Sequence, residues 1–209
     1  GGGKVLLHNG QFLSGTIRLK SNVTLFIESG TVLLGSDKPN DYPVLKTDYP
    51  AVSGEYSTDK ALVYAENAEN IAIKGNGTID GRGDDLELMS RPRPHIIVFR
   101  LCNNIKVRDI KLYNAAFWVQ KYQSCNNLLI DGITVNSREN KDIEKPRFFD
   151  VPGGRNTDGC NIVDSKNVRI SNCNINSGDD GIVFKSFLRN QGCANIVVNN
   201  CIITTNASG

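Results

Sequence analysis

Three carboxylates in two short clusters are the residues of this 209-residue sequence best suited to chemistry. Asp158 lies in Asn156-Thr157-Asp158-Gly159, and Asp179 and Asp180 lie in Ser177-Gly178-Asp179-Asp180-Gly181. Aligned on the glycine that follows each cluster, Asp158 and Asp180 stand 22 residues apart. Each glycine leads into an alternating segment, Cys160-Asn161-Ile162-Val163 in one case and Ile182-Val183-Phe184-Lys185 in the other. If those segments stack, the three acids share one outer wall. Crowding raises the cost of ionising all three, so at least one is expected to keep its proton near neutral pH. An acid beside a carboxylate can protonate a leaving oxygen while its neighbour activates water, the division of labour of glycoside hydrolysis. A carboxyl separation of roughly 6.5–9.5 Å would leave room for that water and give inversion. Asp-Gly is also a turn pair, as at Asp80-Gly81 and Asp131-Gly132, and clustered carboxylates can hold calcium.

Several neighbours are candidates for binding. Lys185 alternates out of phase with Ile182 and Phe184, which turns it towards the acids. There its ammonium would either bind a uronate carboxylate or pair with one of the three. Arg189, just downstream, is a weaker candidate of the same kind. Asn156 shapes the turn and is placed to touch a substrate. Ser137 to Arg155, with Pro146 and Pro152-Gly153-Gly154, reads as a loop directly before Asp158. Such a loop would either wall a cleft, favouring attack at chain ends, or lie as solvated surface. Trp118 is suited to stacking on a sugar ring or to packing. Neither His95 nor His8 is given a role.

The elements that must position these groups follow from a repeat. An Asn followed by alternating apolar residues recurs at Asn22, Asn70, Asn104, Asn127, Asn167 and Asn195, as in Asn104-Ile-Lys-Val-Arg-Asp-Ile-Lys-Leu. The six starts are 48, 34, 23, 40 and 28 residues apart, one bare coil at the shortest and coils with inserted loops elsewhere. Strands of three to five residues cannot bury an apolar face alone, but stacked coils can. The expected fold is all-β, a right-handed parallel β-helix in one domain over residues 1–209, read as an excerpt with an N-terminal cap and further coils outside it. The leading Asn suits a stacked turn where side-chain amides hydrogen-bond along the ladder. Cys102, Cys125, Cys173, Cys193 and Cys201 keep the same register, and together with Cys160 they are read as stacked core thiols rather than bridges.

Bulk composition excludes more than it asserts. With 24 basic and 22 acidic side chains and a net charge of +2, no global field points to nucleic acid. No run approaches the roughly 18 apolar residues of a membrane span, and no leader segment is visible. No CxxC pair occurs and there are only two histidines, so a structural zinc site is not expected, and no metal is assigned to the site.

The motifs Asn156-Thr157-Asp158-Gly159 and Gly178-Asp179-Asp180 resemble the signature of glycoside hydrolase family 28, the polygalacturonases and their relatives. Leu19-Lys20-Ser21-Asn22-Val23-Thr24-Leu25, Gly75-Asn76-Gly77-Thr78-Ile79-Asp80-Gly81 and Phe117-Trp118 are similar to that family too, so the resemblance runs the length of the chain. It implies hydrolysis of galacturonic-acid linkages in a pectic oligo- or polysaccharide with inversion, no cofactor, a monomer, and a secreted or periplasmic location. By the same match Asp179 resembles the general acid, and Asp158 and Asp180 the pair that activates water. The sequence departs from the pattern at Ser208, where the family has the His of Gly-His-Gly. That departure leaves a substrate other than plain polygalacturonate, another residue in the role of the His, or reduced activity, and the first is the favoured reading. Two other readings stay open: a calcium-dependent pectate-lyase-like enzyme, and a non-catalytic polysaccharide-binding β-helix.

Overall fold

The computed structural model describes residues 1–47, 49, 59–83, 92–137, 156–205, 207 and 209. Its strands form three parallel sheets, two of seven strands and one of six; each coil contributes one strand to each sheet, except that the last described coil contributes only to the first two. The coil containing Asn104 shows the unit: Asn103–Arg108 in the first sheet, Lys111–Tyr113 in the second, Gln120–Gln123 in the third. Parallel pairing across such crossovers gives the right-handed β-helix that the repeat implied. Apart from a 3-10 turn at Pro39–Asp41, no helix occurs among the described residues.

The first sheet contains one coil more than the repeat counted. Gly3–Leu7 pairs in parallel with Val23–Ile27, Gly3 opposite Val23. This strand has no leading Asn, so the signature misses it. In the other six coils the leading Asn adopts a left-handed backbone, with φ between 54° and 63°. Asn is the non-glycine residue that tolerates this region best. The amides then bond from coil to coil: Asn70 to Asn22 at 2.9 Å, Asn104 to Asn70 at 3.0 Å, Asn127 to Asn104 at 2.6 Å, and Asn195 to Asn167 at 3.0 Å. Asn167 donates to Asn126 rather than Asn127, at 2.8 Å.

Inward residues such as Ile105, Leu128 and Val168 align in the first sheet and fill the core with Leu112, Val135 and Ile175 of the second. All six cysteines are free thiols, as the register suggested. The third sheet differs from the first two. Pro94–Arg100, Gln120–Gln123 and Cys160–Val163 are buried at every position, on both faces. Residues near 45 lie over the outer face, where Leu45 packs against Ala61, Tyr64 and Val98. The acids lie in the turns that lead into this sheet, before Cys160–Val163 and before the partly exposed strand Ile182–Lys185.

Candidate active site

Cys160–Val163 and Ile182–Lys185 are neighbours in the third sheet, paired Cys160 to Ile182 and Val163 to Lys185. The register is therefore the 22-residue offset expected from the sequence, and it continues into the turns before the strands. The Gly159 amide donates to the Asp180 carbonyl at 2.8 Å, and the Cys160 amide to the Gly181 carbonyl at 2.9 Å. From below, the Val119 amide donates to the Asp158 carbonyl at 2.9 Å. Glycine is required at 159 by close approach: a Cβ there would sit 2.4 Å from Ile175 Cγ2 and 2.7 Å from the Gly181 carbonyl oxygen.

Stacking brings the three acids together. One carboxylate oxygen each from Asp158, Asp179 and Asp180 lies within 4.8 Å of the others. This is closer than the 6.5–9.5 Å that a water placed between an acid and a base would call for. Asp179 and Asp180 are consecutive, and Asp158 sits one strand spacing (~4.8 Å) below them. Such a trio of oxygens also suits a hard cation.

Asp158 is the most enclosed of the three, 3 % exposed, with Asp179 and Asp180 half-buried. Burial pushes the Asp158 carboxyl above the usual carboxylate range. Lys185 pulls it down, the Asp179 charge adds to the push, and Asn161 pulls it down. The Lys185 ammonium donates to Asp158 Oδ2 at 2.9 Å and stands 3.8 Å over the Trp118 ring. Of the two readings of Lys185, the pairing with an acid is the one in this structure. Asn156, in a left-handed turn at φ 53°, donates from Nδ2 to Asp179 Oδ2 at 3.3 Å. Arg189 lies exposed after Ile182–Lys185, and no hydrogen bond or ion pair among the described residues ties it to the acids. Trp118 is 3 % exposed and stacked on Phe117, which is the packing reading. Ser208 and the segment 138–155, with its proposed cleft wall, lie outside the described residues.

Some supporting groups were not identified from sequence. Gln120 points into the core, accepts from the Tyr122 hydroxyl at 2.8 Å and donates to the Gly159 carbonyl at 3.1 Å, steadying the Asp158 turn. Thr157 Oγ1 donates to the Ser137 carbonyl at 2.8 Å and accepts from the Gly178 amide at 3.2 Å, joining the two acidic turns. Beneath Trp118 lies a buried ionic cluster. Asp59 meets Lys121 at 2.8 Å, His95 Nε2 at 3.3 Å and the Arg100 guanidinium. Burial works to raise Asp59, but the hydrogen bond from His95 and the charge of Lys121 prevail and hold it well below the usual range. His95 also contacts the Trp118 carbonyl through Nδ1 at 3.1 Å. Its place is thus structural support under the site. The partners in this cluster are 23 to 62 residues apart in sequence, and no spacing in the sequence marks them.

The family model for glycosyl hydrolases family 28 matches residues 9–206. A probable polygalacturonase of Vitis vinifera is 30% identical over 207 residues, covering 93% of this chain and 39% of that protein. An endo-polygalacturonase of Pectobacterium carotovorum subsp. carotovorum is 28% identical over 200 residues, covering 90% and 48%. Among solved structures, a hyperthermoactive exopolygalacturonase from Thermotoga maritima superposes with a TM-score of 0.75 at 23% identity, covering 98% of this chain and 53% of that one. The polygalacturonase of Erwinia carotovora ssp. carotovora gives 0.70 at 22%, covering 93% and 53%. The chain spans about half or less of the length of the relatives it matches.

Proposed function

Because this chain belongs to glycosyl hydrolase family 28, we propose that the protein it represents hydrolyses galacturonic-acid linkages in pectic polysaccharide. The observation that carries this reading is the convergence of three carboxylates within 4.8 Å on one face of the β-helix. Asp179 gives its proton to the glycosidic oxygen as the bond to C1 breaks. The oxygen of a water forms the new bond to C1, and its proton passes to Asp158 or Asp180. Lys185 gives Asp158 a cationic partner in its ionised form, while burial makes that carboxylate a stronger base than an exposed one. Inversion follows from the family rather than from the carboxylate spacing. No step calls on a cofactor. Lys185 and Asn156 shape the acid cluster in this reading, and Arg189 is left as a surface cation able to meet an incoming uronate. A polymeric substrate suits action by a secreted or periplasmic protein, which we propose acts as a monomer.

The trio of oxygens also supports a calcium-dependent lyase as a second reading. Hydrolysis yields new reducing ends, whereas a lyase yields an unsaturated sugar that absorbs in the ultraviolet. With chelator present, wild-type protein is expected to release reducing ends from polygalacturonate or a decorated pectin without that absorbance. Asp179→Asn should lower kcat about 10²–10⁴-fold while pectin binding persists. Undiminished turnover in that variant would refute the assignment, and chelator-sensitive ultraviolet-absorbing products would favour the lyase. Binding with no turnover in either protein would leave the polysaccharide-binding reading.

A further inference from the structure

We propose that Arg93 is a positioning residue for Asp179, acting through the side-chain amide of Asn156. The inference rests on the hydrolase reading above and adds a residue to it.

Arg93 immediately precedes the strand Pro94–Arg100 and is buried, 4 % exposed. Among the described residues, three contacts hold its guanidinium. Nη1 donates to the Ala116 carbonyl at 2.9 Å, the Phe117 ring lies 5.0 Å from Cζ, and Nη2 donates to Asn156 Oδ1 at 2.8 Å. A guanidinium has donors and no acceptor. Facing it, Asn156 can present only its carbonyl oxygen, so Nδ2 is turned the other way, towards Asp179 Oδ2 at 3.3 Å. Without Arg93 the amide could rotate and offer either end to the acid. With it, the donor end is selected. The left-handed turn at Asn156 further limits where that amide can go.

The consequence concerns the proton. When Asp179 is protonated, an oxygen that accepts a hydrogen bond from Asn156 is the carbonyl oxygen of the acid. The proton then sits on Oδ1, the oxygen left to meet the glycosidic bond. A flipped amide would present Oδ1 of Asn156 instead, bind the acid's proton and withhold it from the leaving group. Arg93 is 63 residues from Asn156, and Asn156 is 23 from Asp179, so the relay exists only once the coils are stacked.

Leaving-group dependence tests this, because a group acting through the general acid matters little when the leaving group departs without protonation. The complete protein, as wild type, Arg93→Met, Arg93→Lys, Asn156→Ala and the double variant Arg93→Met/Asn156→Ala, would be assayed on a pectic polymer (whichever of polygalacturonate and decorated pectin the wild type cleaves) and on a nitrophenyl galacturonide. For Arg93→Met and Asn156→Ala, kcat on the polymer should fall roughly tenfold or more, a part of the about 10²–10⁴ that a positioned proton donor supplies. KM should hold, and the aryl substrate should be little affected. The double variant should lose no more than either single change. Arg93→Lys, which cannot span both carbonyls with one fork, should rescue only in part. Equal losses on both substrates, or a polymer kcat untouched in Asn156→Ala, would overturn the role of Arg93. If Arg93→Met does not fold, Arg93→Lys and Asn156→Ala carry the same comparison. Wild-type protein that cleaves neither substrate would instead overturn the hydrolase reading itself, and this inference with it.

Discussion

Asp158 is held between opposing influences. Burial and the Asp179 charge favour its neutral form, while the Lys185 ammonium favours the carboxylate. The balance lies on the raised side, so the acid limb of activity should follow Asp158. Turnover is expected to fall as pH drops through its folded value, where the water-activating carboxylate takes up a proton. Removing the ammonium in Lys185→Met takes away the largest downward influence and should shift that limb to higher pH. A pH profile of kcat/KM checks this; a limb that stays in place would mean that Lys185 does not tune Asp158. Legibility at this scale is uneven. Alternation turned Lys185 outward correctly, but which acid it meets depends on a contact 27 residues away in sequence.

At the scale of elements, the site is two stacked turns leading into two paired strands. The turns approach so closely that Gly159 has no room for a side chain. Gly159→Ala should therefore force the coils apart and destabilise the fold by about 1–3 kcal/mol, as overpacking of a filled site does. Thermal or denaturant unfolding would measure that cost, and kcat should fall with it because Asp158 and Asp180 lose register. Unchanged stability would show that the two turns can separate enough to admit a methyl group. The first sheet was legible in sequence because its outer face is wet. Lys106 and Arg169 alternate with buried Ile105, Val107, Val168 and Ile170, which leaves a period of two. The third sheet hides that period. Lys121 and Asn161 alternate with the core-facing Gln120, Tyr122 and Ile162 yet are fully buried, Lys121 against Asp59.

Across the whole molecule, the acidic site carries a cost in stability. For a carboxyl whose folded pKa is raised, stability is greatest below its unfolded value and is lost as pH rises through the folded one. Asp158 is such a group. Asp158→Asn keeps the shape without the charge and should raise Tm at neutral pH while turnover collapses. The gap from wild type should close on acidification to below the ordinary carboxylate range, as melting curves at two pH values would show. A Tm that falls at neutral pH would mean the Lys185 pair outweighs burial. The other stacked features are shared out along the solenoid. Asparagine amides bond each coil from Asn22 onward to the next, and each coil buries its core only against its neighbours.

By itself the sequence determined the solenoid, because a repeated Asn in a left-handed turn followed by period-two apolar residues has few other ways to bury itself. It also determined the acidic trio and the 22-residue register, since equivalent positions in a stacked repeat must be neighbours. Only the tertiary structure decided what each acid touches. The Lys185 partner of Asp158, the Arg93–Asn156 bridge to Asp179 and the buried Asp59 cluster all join residues from different coils or from segments folded over the outer face. Their spacing depends on inserted loops of no fixed length, and a repeat says nothing about where such loops lie down.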